Sequence, residues 1–155
     1  MFKGKSFDEL KVGGKFSDSM TVTETHIVMA CGIFKDFNSL HSNESFAQGT
    51  TFKGRIAHGP LTAGIMGGVL GNCFSDTAFA YLEQSTRFKA AVRPGDTLTT
   101  EWEVVNLEPK AKYNGGVVSL KGDCKNQHGT LVAESEGKII VTNRRLEKQS
   151  PKGVY

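Results

Sequence analysis

The chain has 155 residues, of which 38% are hydrophobic and 23% charged, a balance that suits one folded domain and excludes disordered or fibrous designs. Its 19 Lys and Arg against 16 Asp and Glu leave +3, and the whole excess lies in the tail, where Arg144, Arg145, Lys148 and Lys152 face Glu147 alone. The remaining body is balanced, 15 against 15, and no aromatic residues alternate with the tail's charges as stacking platforms, so no nucleic-acid partner is indicated.

Cys31, Cys73 and Cys124 are odd in number and widely spaced. They fit free thiols in a reducing cytoplasm better than a disulfide framework or a structural zinc site. The first ten residues mix Lys3, Lys5, Asp8 and Glu9 with isolated apolar positions and hold no signal-peptide h-region. The longest apolar stretch, residues 56–71, is too short and too rich in glycine for a membrane span. A cytoplasmic protein without a membrane segment is expected, with a domain over residues 1–142 and a basic tail over 143–155.

A first strand is predicted over residues 15–22. It leads into a helix over 23–34, with Thr23 as N-cap, Glu24 in the first turn and Ile27, Ala30, Cys31 and Phe34 on one face. Residues 35–51 are polar and punctuated by Asn38, Ser39, Asn43 and Gly49, which predicts an excursion with one short helix opening at Asn43. Residues 59–72 read GPLTAGIMGGVLGN, a helix with Pro60 in its first turn. Its glycines 64, 67, 68 and 71 form a stripe free of side chains, which predicts close approach by a sheet.

The period then changes to two. Strands are predicted over residues 78–88, 97–107, 117–125 and 131–141, with turns at Arg93-Pro94-Gly95-Asp96, Asn114-Gly115-Gly116 and Gln127-His128-Gly129. The order is a strand, helices, then an antiparallel meander. It predicts an α+β domain whose sheet wraps the glycine-rich helix, with inward-facing Gly122 and Gly137 relieving the crowding.

The chain has no phosphate-binding glycine loop, no dinucleotide fingerprint, no His-Glu-x-x-His and no Gly-x-Ser-x-Gly. What remains is Asp36-Phe37-Asn38-Ser39-Leu40-His41, followed by Arg55-Ile56-Ala57-His58-Gly59 at the start of the glycine helix. A carboxylate, an imidazole and a helix N-terminus together suit acid-base chemistry with charge stabilisation. His41-x-x-Glu44 could place two metal ligands one helical turn apart, but no third ligand has convincing spacing, so no metal is expected.

The pair Asp-x-Asn-x-x-His and Ile-Ala-His-Gly resembles the MaoC-like, (R)-specific enoyl-CoA hydratases of the hot-dog fold. The resemblance runs from Phe7 through Arg87-Phe88-Lys89-Ala90-Ala91-Val92 to the Arg93-Pro94-Gly95-Asp96 turn. It implies a single hot-dog domain that interconverts trans-2-enoyl-CoA and (R)-3-hydroxyacyl-CoA. Asp36 and His41 would act on one water, and the Gly59 amide would meet the thioester oxygen. It also implies no cofactor beyond the CoA handle, and a homodimer or a higher oligomer of dimers.

Asn38 is expected to hold the loop or bond the catalytic carboxylate, and His58 to fix the loop structurally. Thr62 is a substitute for a serine that several members carry near Gly67. Phe37 is a candidate for the acyl chain, with Arg87 and Arg93 for the CoA phosphates. Two positions depart from the family, which usually has Gly where Lys35 stands and Pro where Ser39 stands. A hot-dog thioesterase is the alternative, disfavoured because residues 59–72 hold no Asp or Glu. A non-catalytic acyl-thioester binding module is a further one, disfavoured by the intact Asp36 and His41 pair.

Overall fold

The computed structural model describes residues 4–143, so residues 144–155, nearly all of the basic tail, lie outside it. Strand β1 (Lys15–Thr21) leads into helix α1 (Glu24–Phe34), two short helices α2 (Ser39–Ser42) and α3 (Glu44–Gln48), and the long helix α4 (Gly59–Cys73). Strands β2 (Ala78–Phe88), β3 (Thr97–Lys110), β4 (Gly115–Lys125) and β5 (Leu131–Thr142) follow. All five strands form one antiparallel sheet in the order β1-β3-β4-β5-β2.

Only β3, β4 and β5 form the meander. Strand β2 joins β5 instead of β3, because β3 already carries β1 on one edge and β4 on the other. The free edge of β2 is thus one side of the sheet. Among the described residues, no helix is long and apolar enough to cross a membrane.

Helix α4 lies on the sheet with Thr62, Met66, Val69 and Leu70 buried, positions spaced at i, i+4, i+7 and i+8. Alternate residues of β3 (Leu98, Thr100, Trp102, Val104) point into the same core. Trp102 is fully buried, and its indole N–H donates to the Met66 carbonyl at 2.9 Å, pinning helix to sheet. Gly122 makes room for that ring, since a Cβ there would lie 2.6 Å from Trp102 Cε3.

The glycine stripe does only in part what its spacing predicts. Built Cβ atoms at Gly64, Gly68 and Gly71 meet nothing within 4 Å, and at Gly67 the neighbours are Gln84 Oε1 and the Tyr81 hydroxyl. Of the stripe, Gly67 alone is approached by the sheet, where a Cβ would lie 3.0 Å from Gln84 Oε1 of β2, while Thr62, Met66, Val69 and Leu70 face the core and Gly122 relieves the crowding at Trp102. Gly64 and Gly68 instead line an open, mostly apolar groove of about 310 Å³ with Met20, Phe34, Leu61 and Ile65.

Candidate active site

Helix α1 stops at Lys35, which adopts a left-handed conformation (φ 55°, ψ 35°) with its N–H bonded back to the helix. This is the position where the resembling family carries glycine, and an L-residue there costs about 1–2 kcal/mol. The turn is therefore kept without the residue that makes it easy. It delivers Asp36, whose N–H donates to the Cys31 carbonyl at 3.1 Å and whose carboxylate is half exposed.

Asn38 caps α2, its Oδ1 accepting the Leu40 N–H at 3.0 Å, while its own backbone N–H donates to Asp36 Oδ1 at 3.1 Å. The carboxylate is thus held by the Asn38 main chain and not by its side chain. Helix α2, which the sequence pattern does not reveal, carries His41 inward. The His41 Nδ1–H donates to the Ile56 carbonyl at 2.8 Å, leaving Nε2 as the atom that faces Asp36.

Asp36 Oδ2 and His41 Nε2 lie 3.9 Å apart. That is too long for a direct hydrogen bond and suits one shared water, with each group within hydrogen-bond reach of it. Beneath them is His58, fully buried, whose ring stacks on His41 with centroids 3.8 Å apart and planes at 28°. The His58 Nε2–H donates to the Asp36 carbonyl at 3.0 Å, and its Nδ1 has no hydrogen-bond partner.

Asp36, His41 and His58 offer three ligand atoms within 4.8 Å of one another. They do not fit a preformed metal centre, because with the rings stacked an ion in the plane of one imidazole stands well off the plane of the other. Glu44, the other sequence candidate for a metal, turns elsewhere. It accepts from Gln48 at 2.7 Å and from Arg55 Nε at 3.1 Å, and these contacts, the Gln48 hydrogen bond foremost, hold its carboxyl below the usual range.

Gly59 opens α4 directly after His58. Pro60 has no N–H, and Leu61 and Thr62 donate theirs to the His58 carbonyl. Among the described residues this leaves the Gly59 amide as the unspent donor of the helix terminus, backed by the positive end of the helix dipole. It opens on a cleft of about 340 Å³ lined by His41, Phe52, Gly59, Thr62, Phe88 and Val92.

Thr62 is buried at the cleft floor, one helical turn from Met66. Phe37 is 65% exposed and lies outside the cleft lining. Arg87 is exposed on β2, 4.0 Å from Glu136, and the neighbouring Lys89 pairs with Glu134 at 2.8 Å. Arg93 donates through Nη2 to the Phe52 carbonyl, so part of its guanidinium holds the loop above the sheet.

Arg55 is visible in the sequence only as a neighbour of the motif. It clamps Glu24 of α1 at 2.7 Å and Glu44 of α3 at 3.1 Å, fixing the excursion that carries Asp36 and His41.

Comparison with known proteins agrees with this architecture. The family described as MaoC like domain matches residues 9–123. An (R)-specific enoyl-CoA hydratase of Rhodospirillum rubrum is 38% identical over 138 residues, 89% of this chain and 92% of that protein. One from Aeromonas caviae is 36% identical over 134 residues, 86% of this chain and 97% of that protein. The solved structure of an R-hydratase from Pseudomonas aeruginosa superposes with a TM-score of 0.80 at 28% identity, covering 97% of this chain and 96% of that one.

Proposed function

From the premise that this chain belongs to the MaoC-like domain family, we infer that it is an (R)-specific enoyl-CoA hydratase, a lyase interconverting trans-2-enoyl-CoA and (R)-3-hydroxyacyl-CoA. The observation that carries the reading is the 3.9 Å gap between Asp36 Oδ2 and His41 Nε2 beside the N-terminus of α4.

In hydration, the Asp36 carboxylate takes a proton from the water held in that gap, and the water oxygen bonds to C3 of the enoyl thioester. The displaced π electrons move toward the thioester oxygen, where the Gly59 N–H meets the developing charge. Protonated His41 gives its Nε2 proton to C2. Its Nδ1 stays bonded to Ile56, so the ring keeps its orientation throughout. Dehydration runs the same steps backwards: neutral Nε2 takes the C2 proton and protonated Asp36 returns a proton to the leaving hydroxyl. After hydration one proton passes from Asp36 to His41 to reset the pair, and after dehydration it passes back. Every step is a proton transfer or a bond to water, so the chemistry calls for no cofactor beyond the CoA handle.

The CoA arm would follow the cleft past Phe88 and Val92, with Arg87 and Lys89 on the adjoining sheet edge as partners for its phosphates. A homodimer built through β2 suits the same surface, because β2 ends the sheet and exposes Phe79, Leu82 and Phe88. Thioester hydrolysis is the weaker reading, since α4 carries no carboxylate to activate water at the carbonyl.

The test is a panel of enoyl-CoA substrates of graded length and branching, followed separately by loss of conjugated-enoyl absorbance and by release of CoA thiol. Hydration without thiol release is expected. Thiol release without hydration would overturn the assignment in favour of a thioesterase.

A further inference from the structure

We propose that His58 is a positioning residue for the reaction, holding Asp36 and His41 in register through its ring face and its Nε2–H. This rests on the reading of Asp36 and His41 as the working pair. Sequence reasoning gives His58 only a loop-fixing role, and the geometry gives it more.

His58 touches both partners at once. Its Nε2–H donates to the carbonyl of Asp36 itself at 3.0 Å, which fixes the backbone from which the carboxylate projects. Its ring lies flat against His41 at 3.8 Å, which together with the Ile56 bond fixes the plane in which Nε2 points. Its own carbonyl accepts from Leu61 and Thr62, leaving the Gly59 amide to the cleft. One side chain and its backbone thus tie together the carboxylate, the imidazole and the oxyanion donor, and small displacements among such groups are costly to turnover.

A second observation separates this role from a packing role. His58 is fully buried, its Nδ1 has no partner, and Phe34 covers it edge-on at 5.8 Å. An unpartnered buried nitrogen is a liability for stability, and an apolar ring of similar outline would remove it. A site selected only for packing has no use for that nitrogen. A site that needs the Nε2–H and a flat ring must carry the imidazole whole.

The experiment compares His58→Phe, which keeps a ring face and loses the donor, with His58→Gln, which keeps a donor and loses the face. Both are assayed with crotonyl-CoA per mole of folded protein, alongside thermal unfolding. At least a tenfold fall in kcat is expected in each, with KM changed less than twofold; the melting curves serve to show that each variant is folded at the assay temperature. Wild-type kcat in either folded variant overturns the proposal, as does a loss confined to KM. If His58→Phe does not fold, His58→Gln alone decides. The pair reading is tested separately by Asp36→Asn: if that variant keeps full turnover the site itself is misassigned, whereas if it is inactive and the His58 variants are not, only the positioning role falls.

Discussion

Gly59→Ala is the substitution whose outcome the structure most constrains. A Cβ at this position would lie 2.9 Å from Cε2 and 3.0 Å from Cζ of Phe88. Ordinary carbon contacts are about 3.5–4.0 Å, so the ring must retreat by roughly 0.5–1 Å. Phe88 is 51% exposed and lines the cleft, so it has room to move, and it moves in the space where the thioester would sit. The fold should lose little, because alanine in a helix is favoured over glycine by about 0.5–1 kcal/mol, which offsets the ring's displacement. Full removal of an oxyanion donor costs about 10²–10³ in kcat. Here the amide remains but its approach is obstructed, so a loss of about tenfold is expected, or ~1.4 kcal/mol in the barrier. Steady-state hydration of crotonyl-CoA reads the change, and adding Phe88→Ala to Gly59→Ala should restore most of the lost kcat. An unchanged kcat in Gly59→Ala would refute the oxyanion role.

Asp36→Asn and His41→Gln should each lower hydration by at least about a hundredfold. The first should leave the melting temperature nearly unmoved, because the amide that replaces the Asp36 carboxylate still offers an oxygen to the Asn38 N–H. Gly122→Ala drives a methyl to within 2.6 Å of Trp102 and should cost about 1–3 kcal/mol in urea denaturation; a loss below that range would mean the ring is not confined. Burial pushes the Cys73 thiol from 9.0 up to about 11, a shift that the nearby Lys5 opposes. Folding therefore favours the neutral thiol, a contribution present below pH 9 and lost as pH rises through about 11. Iodoacetamide labelling of Cys73, followed by mass spectrometry, should be slow at pH 8 and accelerate over that window, and Cys73→Ala should flatten the alkaline fall in stability.

The strands are legible because their inward residues alternate: Leu98, Thr100, Trp102 and Val104 are all buried, as are Val118, Leu120, Gly122 and Cys124. Helix α1 shows its N-cap at Thr23 and buries Ile27, Ala30 and Cys31 as expected, although Phe34 at its end is 40% exposed; α4 carries Pro60 in its first turn, and Asn43 does open α3, accepting the Phe46 N–H. Strand order is less visible, because nothing in the text of β2 says that β5 and not β3 will be its neighbour. The glycine stripe is informative only at Gly67, because spacing reveals that a face is bare but not which way most of it points, and the large Trp102 settles the orientation of α4. At the site, the two halves of the motif do meet: Asp36 faces His41, and His41 and Gly59 line one cleft. The ring stack on His58 is hidden from the sequence, since it depends on α2 turning His41 inward to meet a residue much further along the chain.

Trp102 is the chain's one tryptophan, and it sits dry between the sheet and α4 with its N–H committed to the Met66 carbonyl. The protein therefore carries its own optical reporter at the joint on which α4 rests. Emission from that indole should be blue-shifted while α4 is docked and move to the red as water reaches it. Excited at the red edge of absorption, where the three tyrosines contribute little, this one indole reads helix docking directly, in the native protein and in each variant above.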